Sequence, residues 1–95
     1  MNAKIEQIKS QMVLPAIAAP MFLVSSPQTV ISACKAGVMG SFPAPNARTI
    51  QDLRDWFGQI TDAIGPEDAP WALNMITHSS YGRFDEELDL VKEFK

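Results

Sequence analysis

Apolar and polar positions fall into blocks along the chain, and each block has its own period. Residues 1–11 are polar apart from Ile5 and Ile8, whose spacing of three suits a short helical turn or a loose lead-in. Residues 14–21, Leu-Pro-Ala-Ile-Ala-Ala-Pro-Met, form a continuous apolar run flanked by prolines. Such a run predicts a strand buried on both faces, the habit of parallel sheets. Ser26-Pro27 then marks a helix start, with serine as the cap and proline at the first helical position, where its missing N–H costs nothing. The helix expected over 27–36 places Val30, Ala33 and Cys34 on one face and stops at Gly37. Residues 38–42 follow at once as a second short apolar strand.

After the rigid Pro43-Ala44-Pro45-Asn46 loop, Thr49 caps a second helix, with Asp52 three residues on. Ile50, Leu53, Phe57, Ile60 and Ile64 recur in steps of three and four, giving one apolar stripe, and Gly65-Pro66 ends it. A third strand is expected over 71–77, where Asn74 is a polar intruder among Trp71, Leu73, Met75 and Ile76. A third helix begins near Phe84 or Asp85. Acids fill its first turn and Lys92 and Lys95 its last, as the helix dipole favours. Leu88, Val91 and Phe94 are its core face, and the acidic run 85–89 reads as a solvated helix start. The order is three consecutive βα units, an α/β fold with a parallel sheet and right-handed crossovers.

Composition adds exclusions. With 46% apolar and 20% charged residues in 95, the chain is an ordinary globular domain and not a disordered tail. Its net charge of −3, with eight basic residues scattered, argues against a nucleic-acid surface. The single cysteine, Cys34, cannot form an internal disulfide or hold a structural zinc alone, so a reduced, cytoplasmic setting is expected. The apolar stretch 12–24 is too short for a membrane span and is broken by Pro15 and Pro20; Glu6 ahead of it also argues against a signal peptide. Metal-ligand spacings, a G-x-S-x-G nucleophile motif and phosphate loops are lacking. Gly37-Val38-Met39-Gly40 lies at a helix-to-strand junction, where dinucleotide glycines do not belong.

Ligands of parallel α/β folds gather at the carboxyl ends of strands. Here those ends are Ala19-Pro20-Met21, Gly40-Ser41-Phe42 and residues 74–78: small residues, a rigid proline and one amide. They suit a flat, mostly apolar ligand needing a few directed hydrogen bonds, such as a flavin ring.

The segments 14–25 (LPAIAAPMFLVS), 33–43 (ACKAGVMGSFP), Asn46-Ala47-Arg48-Thr49 and Trp71-Ala72-Leu73-Asn74 together resemble the N-terminal part of the nitronate monooxygenases, formerly 2-nitropropane dioxygenases. The resemblance runs from about residue 14 to the end of the chain. It implies the front of an FMN-dependent TIM (β/α)8 barrel that oxidises alkyl nitronates with O2. Flavin-dependent enoyl-acyl-carrier-protein reductases share the layout and are the alternative enzyme; a shortened, non-catalytic α/β protein or an oligomerising half-barrel is the third reading. Carried over, Ala19, Pro20 and Met21 would lie against the flavin, with the Met21 N–H offered to its polar edge. Gly40 and Ser41 would close the second strand beneath it, where a side chain on Gly40 would crowd the cofactor. Asn74 would meet the pyrimidine edge, and His78 would border the substrate. The family's catalytic histidine and its glycine-rich phosphate loops belong to later parts of the barrel, so no catalytic residue is assigned here. A TIM barrel takes about 250 residues; the resemblance therefore implies a truncated chain, three units of eight, that binds FMN weakly.

Overall fold

The computed structural model describes residues 3–94. Helix α1 spans Ala3–Ser10, α2 Pro27–Lys35 and strand β1 Gly40–Pro43. A 3-10 turn follows over Ala44–Asn46, then α3 over Ile50–Ala63, strand β2 over Trp71–Asn74 and α4 over Phe84–Glu93. β1 and β2 pair in parallel, Gly40 against Trp71 through Pro43 against Asn74. The fold is α/β with a parallel sheet, and that part of the sequence expectation holds.

The caps explain the helix boundaries. Ser26 Oγ accepts the Thr29 N–H while Thr29 Oγ1 accepts the Ser26 N–H, closing a capping box around the first turn of α2. Thr49 Oγ1 accepts the Asp52 N–H at 3.0 Å and starts α3 in the same way. Gly37, just past α2, has φ +94, a left-handed conformation that only glycine adopts without strain.

The first expected strand is the main departure. Residues 14–21 do not form a strand buried on both faces. They contribute one parallel bridge, Ile17 to Met39, made by the Ala18 N–H on Met39 O (2.8 Å) and the Met39 N–H on Ala16 O (3.0 Å). Leu14, Ile17 and Met21 are exposed, because no helix among the described residues covers this segment. The prolines at 15 and 20 leave the ladder only a few residues long. β1 begins at Gly40 instead of Val38, and β2 ends at Asn74 instead of running to Thr77.

Successive residues of a strand face opposite sides. Gly40 and Phe42, with Trp71 and Leu73 beside them, therefore face the helices; Ser41, Pro43, Ala72 and Asn74 share the other face. The core lies on the helix side. Phe42 is fully buried, stacked on Trp71 (ring centroids 6.0 Å) and edge-on to Trp56 (5.2 Å) and Phe57 (6.4 Å). Val30 and Cys34 from α2 and Leu53, Phe57 and Ile60 from α3 complete it, the latter three on the stripe that the sequence showed. Cys34 donates to Pro70 O (3.4 Å), and burial pushes its thiol above the ordinary range, so it is inert packing. Among the described residues no helix is long and apolar enough to cross a membrane.

Two expectations for α4 change. Leu90, not Leu88, is the leucine in the core, and the acidic run is not wholly solvated: Glu87 is fully buried.

Candidate functional site

The carboxyl ends of the sheet bring together the segment after the Ile17 bridge, the turn after β1 and the loop after β2. Asn46, at the end of the 3-10 turn, shapes the first of these. Its Nδ2 donates to Met21 O (3.0 Å) and Ser25 O (2.8 Å), and its Oδ1 accepts the Leu23 N–H (3.0 Å). These bonds hold Leu23 at φ +65, which costs a leucine of order 1 kcal/mol or more. The sequence marked Asn46 as a loop residue without a role; only its three-way pairing shows that it fixes the 21–25 turn.

Ala19, Pro20 and Met21 lie on this segment, exposed. The Met21 N–H is not offered to a ligand: it donates to Ser25 Oγ at 2.8 Å. Ser41 is buried and donates from Oγ to Ala18 O (2.6 Å), binding β1 to the first segment. Gly40 faces away from this region. A Cβ built on it would stand 2.5 Å from Val30 O and 2.8 Å from Val30 Cα, so its missing side chain lets α2 seat on β1 rather than making room for a cofactor. Asn74 ends β2, exposed, on the same face as Ser41, and its carboxamide has no hydrogen-bond partner among the described residues. His78 lies four residues farther on, also exposed. Its Nδ1 accepts the Ser80 N–H (3.1 Å) and stands 2.7 Å from Ser80 Oγ, which leaves the proton on Nε2 in the neutral ring. The structure thus gathers Ser41 and Asn74 on one face, and moves Gly40 to the other.

Beside this region lies a polar cluster that the sequence did not reveal. The Tyr81 hydroxyl donates to Glu87 Oε2 (2.6 Å), and Arg83 Nη2 stands 3.2 Å from the same oxygen. Arg83 Nη1 donates to Ala47 O and Arg48 O, both at 2.9 Å, and so ties α4 to the segment before α3. The only prior signal was the i,i+4 spacing of Arg83 and Glu87.

Burial, and then its bond to the Glu87 carboxylate, push the Tyr81 hydroxyl up to about 12. The folded chain holds this proton where the unfolded chain, at about 10, has lost it. Stability from this group is therefore complete below about pH 10 and declines as pH rises from there toward 12. Alkaline denaturation monitored by tryptophan fluorescence should show that decline, and Tyr81→Phe should flatten it.

A shallow groove of about 380 Å3 is lined by Lys35 and residues 62–68. It lies before β1 and β2, at the opposite ends of the strands. There Lys35 and the Gly65 N–H together hold the Asp68 carboxyl below its usual range. Among the described residues no group of histidine, cysteine and carboxylate side chains is placed to hold a metal ion. Set beside protein-family models, curated proteins and solved structures, the chain matches none of them.

Proposed function

We propose that this chain supplies the ring-binding part of a flavin site, in an FMN-dependent oxidoreductase of the nitronate monooxygenase type. The observation that carries the reading is the unpartnered Asn74 carboxamide at the carboxyl end of a parallel strand. A polar group so placed, on a face shared with Pro43 and Ala72, meets a flat ligand that is apolar across its plane and polar at its edge. The ring of a flavin fits these residues: Asn74 both donates and accepts at the pyrimidine edge, and Pro20 and the Met21 side chain offer apolar surface. The Met21 N–H contributes only if Ser25 releases it. FMN, when bound, supplies the electron transfer, and the protein orients the ring and the substrate. The His78 Nε2–H is a donor for an anionic nitronate oxygen.

Titration of the 95-residue chain with lumiflavin and with FMN tests this, read by flavin fluorescence anisotropy. Both should bind weakly and within about threefold of one another, because the ring is recognised without the phosphate. Asn74→Ala should weaken both by about five- to tenfold, the worth of about 1 kcal/mol in hydrogen bonding. Binding of neither flavin, or binding that Asn74→Ala leaves unchanged, would defeat the reading. Oxygen uptake with a nitroalkane anion, set against NAD(P)H consumption on an enoyl thioester, separates the two flavin chemistries in the enzyme that carries this segment.

A further inference from the structure

The exposed large apolar side chains are concentrated on one stretch of chain. Val13 (79% exposed), Leu14, Ile17 (61%), Phe22 and Leu23 (75%) all lie within residues 13–24, with Met21 and Val24 beside them. Summed over these seven residues the exposure is on the order of 800 Å2, the size of one partner's share of a standard protein–protein interface. No charged residue occurs between Lys9 and Lys35, so the stretch meets a copy of itself without like-charge repulsion. The same lack of lysine and arginine removes the attraction that draws apolar segments to anionic lipid.

The backbone indicates how such a meeting is made. Ala16 and Ala18 turn their hydrogen-bonding groups toward Met39, so those of Ile17 and Ala19 turn the opposite way, along the outer edge. Among the described residues these four groups have no partner. An open strand edge beside an apolar patch is a template for another strand. On one side the edge stops at Pro15, which has no N–H; on the other it stops at Met21, whose N–H is taken by Ser25.

We propose that two copies of this chain join through antiparallel pairing of residues 17–19 about a two-fold axis at Ala18. Each Ile17 exchanges hydrogen bonds with the partner's Ala19, and Ala18 faces its own counterpart in the pair without hydrogen bonds. A shift of the pairing would put Pro15 or the engaged Met21 N–H on the ladder, so the register is fixed. It sets the Val13–Leu14 end of one copy beside the Phe22–Leu23 end of the other, covering both. The edge of residues 17–19 is separate from the face that carries Asn74, and the two proposals meet only at Met21, which borders both; the pairing itself needs no flavin.

Sedimentation velocity on the 95-residue chain, from micromolar to several hundred micromolar, should show a species of twice the 10.5 kDa chain mass. Ile17→Lys and, separately, Leu23→Lys should each weaken self-association by at least about a hundredfold, with the tryptophan fluorescence of the core unchanged. Leu23 stands at a turn and is independent of strand formation, so it keeps the test decisive if Ile17→Lys unfolds. On mild oxidation Ala18→Cys should give a crosslinked pair and Ala16→Cys should not, since residue 16 has no counterpart of its own across the axis; Cys34 is buried and does not compete. A monomer at every concentration, open-ended oligomers, equal crosslinking at 16 and 18, or flotation with phosphatidylcholine vesicles in place of pairing would each overturn the proposal.

Discussion

Gly40→Ala should destabilise the fold by about 3 kcal/mol, the upper end of what overpacking costs. The new methyl would stand 2.5 Å from Val30 O and 2.8 Å from Val30 Cα, both backbone atoms in the middle of α2, and no rotamer change moves them aside. Either α2 lifts from the sheet or β1 buckles, and Val30, Cys34 and Phe42 lose contacts in the core. A domain of this length has a stability of about 5–14 kcal/mol, so the change removes a large part of it. In urea the midpoint should fall by roughly 1–3 M with little change in slope. Gly58→Ala is the control, since a Cβ there meets nothing within 4 Å and lies inside α3. It should stabilise by about 0.5–1 kcal/mol. If Gly40→Ala instead leaves the urea midpoint in place and changes only flavin binding, the glycine serves a ligand and not the α2–β1 contact.

That residue illustrates which parts of the molecule were legible beforehand. Helix boundaries are local: Ser26 and Thr49 cap through atoms three residues away, and Gly37 needs only its own φ. The stripe Leu53, Phe57, Ile60 is likewise a property of one helix, and the structure buries all three. Parallel pairing followed from strand–helix–strand order. What needed the third dimension was harder. The run 14–21 has the composition of a doubly buried strand, but composition does not say whether any element arrives to cover it; here one neighbour pairs with it at Ile17 and nothing described lies over it. Gly40 could be marked as a position of close approach, but not for what approaches it. Within the candidate site, Asn74 was visible because an amide interrupts an apolar strand. Asn46 was not, because its role rests on backbone groups more than twenty residues away.

Glu87→Ala should cost about 2–4 kcal/mol, more than any single change in the acidic run would cost on a solvated helix face. Its carboxylate is fully buried, accepts from the Tyr81 hydroxyl and lies against Arg83. Removing it strands a largely buried guanidinium whose Nε already lacks a partner among the described residues, and it deprives the tyrosine of its acceptor. The asymmetry of buried pairs gives the diagnostic: breaking one side leaves an uncompensated charge, whereas removing both leaves none. The double variant Arg83→Met with Glu87→Leu should therefore be more stable than Glu87→Ala alone, despite losing the bonds from Arg83 to Ala47 O and Arg48 O. The neighbouring Glu86→Ala, at an exposed position, should stay within about 0.5 kcal/mol of the parent. Urea titrations of Arg83→Met, Glu87→Leu and the double variant close the cycle and supply the coupling free energy directly. Additive losses would mean that Arg83 and Glu87 act separately; a strongly non-additive result would identify them as one unit that fastens α4 to the segment before α3.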